Sequence, residues 1–288
     1  MRTFPHLEES LPVLVHDPVH SDVPELHGAQ LAAVYHSQRM AGDFYDFFRA
    51  SPNRVLFGLL DAAGGLEDTR AILSAAQHTF RTAGTELFAQ RDINEADAMM
   101  ELCLRLNQAI LQAAEGVHSC PAFVGCYDES LGVVCYFNAG HTPGLARDHD
   151  GVTELPATGL PLGLFSHMTS NAVMFALEPG VALLVVSRGV VEAKFKAEEF
   201  GLQRAKEVLQ HSKAASAKEL CGSVLGQVQQ FMRTAPTHDD VTHLPCREIR
   251  SSPRLSSLNV GAGGLAPAAQ AQVHSWVKQA LHAQSRFA

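Results

Sequence analysis

FGLLDAAGG (57–65) runs through Phe57, Leu59 and Leu60, stops on a single carboxylate at Asp61, and continues in four small residues. With Arg54, Val55 and Leu56 ahead of it, the stretch reads as a short buried strand that presents Asp61 at its end. The small residues 62–65 are expected to let the backbone turn tightly there. Two other stretches place acids at the ends of apolar strands. AGDFYD (41–46) carries Asp43, and THDDVT (237–242) carries Asp239 and Asp240 at the entry to a last strand. Taken singly, such an acid is most often a cap, a turn residue or a solvated charge. Acids from several strand ends can also converge on one hard cation, because Mg²⁺ and Mn²⁺ take oxygen ligands and retain several waters. A metal-bound water is a competent nucleophile near neutral pH, and two ions can clamp the attacking and leaving oxygens together.

The rest of the chain bounds what such a site could serve. The 288 residues are 46% hydrophobic and 18% charged, enough for one large domain with a core of its own. A net charge of -8 argues against a broad phosphate-backbone surface, and so against nucleic acid as a partner. No apolar run reaches the roughly 18 residues that span a bilayer. The N-terminal MRTFPHLEESLPVLVHDP has acids and prolines where a signal peptide has an apolar stretch. The expectation is a cytoplasmic protein without a membrane partner. Six cysteines are scattered without a CxxC pair and mostly lie inside apolar runs, as reduced core residues do. Fifteen histidines form no HxH or HExxH pair, which disfavours a histidine metal site.

Residues 1 to about 27 are broken by prolines and read as an irregular lead-in, too short for a sensor domain. LAAVYHS and RVLFGLLDA then read as strands, with Ser51-Pro52-Asn53 as a turn. Apolar residues at helical spacing predict a helix over about 67–82, with Gly84 just past its end as a cap. A second helix is expected from Asn94, as N-cap, to Gly116. PAFVGCY and GVVCYFN flank Asp128-Glu129-Ser130, a hairpin signal. Short strands are expected at 143–147, 171–177 and 181–187, helices at about 201–211 and 215–233, and a strand near 241–247. Paired helices among hairpin-linked strands predict an α+β fold with antiparallel sheets covered by helices. Beyond Arg250 the composition is that of a linker, followed by a short helix over about 267–282 with Val273, Trp276, Val277 and Leu281.

The order of these motifs resembles the PPM-type, protein phosphatase 2C-like metal-dependent Ser/Thr phosphatases, in their SpoIIE/RsbU branch. The resemblance covers about Gly28 to Arg247, taken as one phosphatase domain over 28–249 with a linker and helix over 250–288. It rests on AGDFYDFF (41–48), FGLLDAAGG (57–65), YFNAGHTPGL (136–145), ATGLPLGLF (157–165), RGVVEA (188–193) and DDVT (239–242). It implies a four-layer sandwich, two antiparallel sheets flanked by pairs of helices, with a two-metal cleft at one edge holding Mn²⁺ or Mg²⁺. Asp61 matches the acid that bridges both metals, and the carbonyl of Ala62 would help to bind the second. Asp43 matches the acid that holds the second metal, and Asp239, with Asp240 beside it, the acid of the first. In such enzymes a metal-bridging water attacks phosphoserine or phosphothreonine without a phosphoenzyme. Asn138 and His141 of NAGH, and the GLPLGL turn, are read as turn sequences, with His141 structural.

At one motif the chain departs from the family. Where the branch has Thr-Asp-Gly at the end of VALLVVS, this sequence has Ser187-Arg188-Gly189. The aspartate that would ligate the first metal is therefore an arginine, while Glu192 of the following VEA is kept. After Asp61, Ala62-Ala63-Gly64-Gly65 also departs from the usual glycine spacing. At ~5 Å and an effective dielectric of ~20, each pairing of a divalent ion with a unit charge is worth roughly 6–7 kcal/mol, and arginine does not deprotonate to relieve it. Arg188 is thus a third candidate catalytic residue beside Asp61 and Asp239. It could pair with Asp61 or Asp239 and replace the metal's charge, swing outward and leave metals held by Asp43 or Asp240, bind the substrate phosphate, or stand exposed without a role. The resemblance implies a phosphatase acting on a phosphorylated signalling protein such as an anti-sigma-factor antagonist, weakened or altered by Arg188. Its rivals are an inactive pseudophosphatase that binds a phosphoprotein, and a metal hydrolase of small phosphate esters.

Overall fold

The computed structural model describes residues 23–36, 41–167, 171–232 and 241–248. The lead-in up to residue 22, Asp239, Asp240, and the C-terminal linker and helix lie outside the described residues. Twelve strands and five helices are described. β1 (Gln30–His36), β12 (Val241–Glu248), β9 (Ala182–Leu184), β6 (Gly144–Arg147) and β7 (Val152–Leu155) form one sheet in that order. β2 (Ala41–Ser51), β3 (Arg54–Gly65), β4 (Ala122–Asp128), β5 (Val133–Ala139) and β8 (Val173–Ala176) form the other. All the named pairings within both sheets are antiparallel. A small hairpin, β10 (Lys194–Phe195) with β11 (Glu198–Glu199), lies between a single-turn helix, α3 (Arg188–Val191), and α4 (Gly201–His211).

The layers follow from side-chain alternation. On β3, Leu56 and Leu60 turn to the core under α1 (Leu66–Phe88) and α2 (Glu95–Ala113), while Val55, Phe57 and Leu59 turn to the core between the sheets. On the other sheet, Leu183 and Val185 face that inner core, while Ala182, Leu184 and Val186 face α4 and α5 (Ala217–Phe231). VALLVV is continuously apolar because it is buried on both faces. The result is the expected sandwich, helices–sheet–sheet–helices, with three apolar layers.

Local signals account for most boundaries. Asn94 caps α2, its side-chain oxygen accepting from the backbone N–H of Ala96 at 3.1 Å and of Asp97 at 3.4 Å. In the β4–β5 turn, Asp128 Oδ1 accepts from the N–H of Ser130 and of Leu131 at 2.8 and 3.1 Å. Two expectations need correction. α1 does not stop before Gly84 but runs through it to Phe88. There a Cβ would lie 2.6 Å from Leu56 Cδ1 and 2.9 Å from Phe48 Cζ, so the glycine serves close helix-on-sheet packing. The backbone also does not turn after Asp61. β3 continues to Gly65, which pairs with Ala41, and the small residues 62–64 are taken up in a register shift between that pair and Asp43–Asp61.

Candidate functional site

Asp61 lies near the end of β3, opposite Asp43 in the β2–β3 register. Its backbone N–H donates to Pro121 O at 2.9 Å, which ties it to the segment entering β4. Period-two alternation places Asp61 on the side of Leu59, towards the other sheet, and it is almost wholly buried. Asp46, three residues after Asp43, belongs to a different task. It is buried towards α1, where Arg81 forks onto it at 2.7 and 2.9 Å and Gln77 donates at 3.2 Å. AGDFYD thus contains one residue paired with Asp61 in the ladder and one structural anchor.

Arg188 comes from the opposite sheet. β9 and the residues after it run to Ser187, at the N-terminal boundary of α3, and Arg188 opens that helix. Its Nε lies 3.2 Å from Asp61 Oδ2 and its Nη2 3.5 Å from Oδ1. Glu192, one turn on, is looser at 3.9 Å. The guanidinium side chain is 49% exposed while the Asp61 side chain is 6% exposed, so a rim cation reaches down onto a buried acid. This pairing spans the two sheets at their shared edge. It is the first of the arrangements left open by the sequence, with Arg188 on the carboxylate expected to bridge the metals.

The NAGH turn packs against the same edge. Asn138 is fully buried; its Oδ1 accepts from His141 N at 2.8 Å and its Nδ2 donates to Thr142 O at 3.3 Å. The Thr142 hydroxyl donates to Val186 O, two residues before Arg188. That donation uses the hydroxyl's one proton, so towards His141 Nδ1, 3.0 Å away, Thr142 Oγ1 can only accept. Thr142 O, 3.1 Å from the same nitrogen, is also an acceptor. Nδ1 must therefore carry the imidazole proton, and Nε2 presents a bare lone pair. That Nε2 is buried and has no hydrogen-bond partner among the described residues. Burial pushes the imidazole down to about 4, with the Arg188 charge adding to the fall against the opposing Thr142 carbonyl. His141 is thus neutral and pre-oriented, a state that the motif did not reveal because it depends on Thr142 reaching Val186 across the fold. The buried Cys120 thiol is pushed up to about 12 by burial and by the Asp61 charge.

A first divalent ion in the usual geometry does not fit this arrangement, because the guanidinium already stands on Asp61 where the ion's charge would be. Asp43 and Asp61 pair opposite one another across the β2–β3 ladder, with Ala62 next in the chain and buried. Elsewhere among the described residues, Asp148, His149 and Asp150 come close together, but they are exposed on the β6–β7 turn. There Asp148 Oδ1 accepts from the N–H of Asp150 and Gly151, which is turn chemistry. No helix among the described residues is long and apolar enough to cross a membrane.

Comparison with known proteins agrees with this architecture. The chain is similar to Protein IcfG of Synechocystis sp., 23% identical over 235 residues, covering 72% of this chain and 37% of that protein. It is similar to the phosphoserine phosphatase RsbP of Bacillus subtilis, 25% identical over 157 residues, covering 54% of this chain and 38% of that protein. The chain thus spans less than two-fifths of the length of either relative. Among solved structures, the PP2C phosphatase domain of SpoIIE from Bacillus subtilis superposes with a TM-score of 0.64 at 17% identity, covering 78% of this chain and 64% of that one. The RsbU and RsbW domains of Rv1364c from Mycobacterium tuberculosis give 0.63 at 22% identity, covering 90% and 72%. These likenesses show the fold. The family profile described as Stage II sporulation protein E (SpoIIE) matches residues 51–247, most of the chain and every described element from β3 to β12. The chain belongs to the SpoIIE family, the SpoIIE/RsbU type of PPM phosphatase.

Proposed function

We propose that this chain recognises a phosphoserine or phosphothreonine on a signalling protein and holds it through Arg188, without two-metal hydrolysis. The observation that carries the reading is the Arg188 ion pair with Asp61. It puts a permanent cation at the edge where the family's chemistry is expected, and it opposes the first metal. Nη1 of Arg188 has no protein partner among the described residues, and the side chain is half exposed. A guanidinium of this kind binds a phosphate through charge-assisted, fork-like hydrogen bonds. A regulator of the anti-sigma-factor-antagonist kind is the partner class suggested by the resemblance, and the similar RsbP is named a phosphoserine phosphatase.

A second reading, residual hydrolysis with a single Mn²⁺ or Mg²⁺, is favoured by the Asp43–Asp61 register. Here Asp43, Asp61 and the Ala62 carbonyl would hold the ion, with Asp239 and Asp240 as further acids. An ion there would supply Lewis-acid charge and an activated water. Calorimetric Mn²⁺ titration, with turnover of an aryl phosphate and a phosphoserine peptide, separates the two. The expected result is no turnover by the natural chain at any Mn²⁺ concentration, and tighter Mn²⁺ binding with turnover in Arg188→Asp. Mn²⁺-dependent, chelator-sensitive hydrolysis by the natural chain would overturn the binding-only reading. Unchanged Mn²⁺ affinity in Arg188→Asp would show that Arg188 does not oppose a metal.

A further inference from the structure

At the opposite end of β3 from Asp61, one buried arginine and two buried acids fasten the start of α2 to the central sheet strands. Arg54 opens β3, and its ladder partner Asp128 closes β4. Arg54 Nε donates to Glu95 Oε1, in the first turn of α2, at 2.7 Å and lies 3.2 Å from Asp128 Oδ2. Its other two nitrogens donate to the link that enters α2, Nη1 to Gln90 O at 2.7 Å and Nη2 to Arg91 O at 3.2 Å. The three side chains are 10%, 6% and 3% exposed for Arg54, Glu95 and Asp128.

The charges of this cluster do not balance. One guanidinium faces two carboxylates, so ionisation of both acids would leave a net negative charge in the interior, which burial penalises. Asp128 Oδ1 is already satisfied by the N–H groups of Ser130 and Leu131. Glu95 Oε2 is buried and receives no donor among the described residues. A proton on Glu95 resolves both faults. Oε2 then donates, Asp128 within hydrogen-bonding reach accepts, and the three charges sum to zero. Burial is the largest influence holding the Glu95 carboxyl above its ordinary range, and the Asp128 charge adds to it against the pull of Arg54. Neighbours on other elements contribute no opposing charge. Cys126 of β4 and Cys135 of β5 remain neutral thiols, both pushed up by burial first, Cys135 to about 12. On α1, Glu86 pairs with Arg105, further along α2, and Asp97 in the first turn of α2 is exposed. The N-terminal end of α2 favours an anion, but by only a fraction of what an unbalanced buried charge costs.

We propose that Glu95 and Asp128 hold one proton between them, which makes this junction a proton-dependent latch on the start of α2. With the proton in place the helix is fastened to both strands. Its loss sets two buried carboxylates against one guanidinium and loosens that end of the helix. The helix so fastened is also the one whose Asn107 grips the GLPLGL segment, accepting from Gly163 N at 2.8 Å and donating to Phe165 O at 2.7 Å. An unfolded glutamate releases its proton near 4.3, and the folded chain keeps it to a higher pH. The stability supplied by the latch is therefore whole below about 4.3 and is lost as pH rises through the folded value, opposite in direction to that of His141.

The test is a carbon-detected NMR titration of the full chain that follows the Glu95 carboxyl resonance, identified by its absence in Glu95→Gln, with urea denaturation between pH 4 and 8 alongside. The resonance is expected to titrate above the ordinary glutamate range. It is expected to move down in Asp128→Asn, which keeps the acceptor Oδ1 of the turn and removes the second charge. In Glu95→Gln the amide can donate to Asp128 and accept from Arg54 without titrating. Relative to that variant, the natural chain should lose up to about tenfold in its folding equilibrium constant per pH unit above about 4.3, until folded Glu95 has ionised. A Glu95 resonance within or below the ordinary range, or parallel stability curves for the natural chain and Glu95→Gln, overturns the proposal. A raised titration that stays unchanged in Asp128→Asn assigns the effect to burial alone and overturns the shared proton.

Discussion

His141 shows how much a single side chain's protonation depends on neighbours remote in sequence. Thr142 donates to Val186 O, and that one bond forces the His141 proton onto Nδ1. The folded imidazole titrates at about 4, below the unfolded value of about 6.5. The unfolded chain therefore takes up the proton first. Stability from this group is complete above about pH 6.5 and is lost as pH falls towards 4, by on the order of 3 kcal/mol. An asparagine can keep the donor to Thr142 O without titrating. Urea denaturation between pH 7 and 4 should show a shallower loss of stability in His141→Asn than in the natural chain. Parallel losses in the two would show that the imidazole is not held neutral. For Arg188, the sequence left several arrangements open, and only the fold shows the pairing with Asp61.

Among the elements, α1 was legible as a helix and misread at its end. Glycine after an apolar helical pattern commonly marks a C-terminal cap, and nothing local to Gly84 distinguishes that from a close packing contact. The distinction lies in Leu56 and Phe48, tens of residues earlier in the chain, whose side-chain ends fill the space a Cβ would take. Gly84→Val should therefore lower stability by about 2 kcal/mol in denaturant titration, because overpacking outweighs any gain in helix propensity. A stability gain would mean that α1 can move off the sheet. β3 was legible for the same reason that α1's end was not. Its alternation of Leu56 and Leu60 with Val55, Phe57 and Leu59 is a local pattern, and both faces are buried. The strand's continuation to Gly65 was not legible, since Ala41 alone, from another strand, extends the ladder that far.

For the molecule as a whole, the inner core between the sheets sets how closely the two halves of the site approach. Gly125 pairs with Phe57 across β3 and β4, and a Cβ on Gly125 would lie 2.3 Å from Phe57 Cζ. The Phe57 ring lies over this glycine within the inner core. Gly125→Val should displace the ring and cost about 2–3 kcal/mol, read as a lower thermal midpoint. It should also weaken phosphopeptide binding, because Asp61 and Arg188 belong to opposite sheets. An unchanged midpoint would show that the inner layer has room to spare. By itself, the sequence determined the layered α+β architecture, the family, and the acids and the arginine at strand ends. Strand alternation, turn residues and motif order are local, and they survive in a linear reading. Only the tertiary structure decided that Arg188 stands on Asp61 and that His141 is neutral with Nε2 bare. Each of those facts is a contact between segments distant in the chain, and only packing of the two sheets creates it.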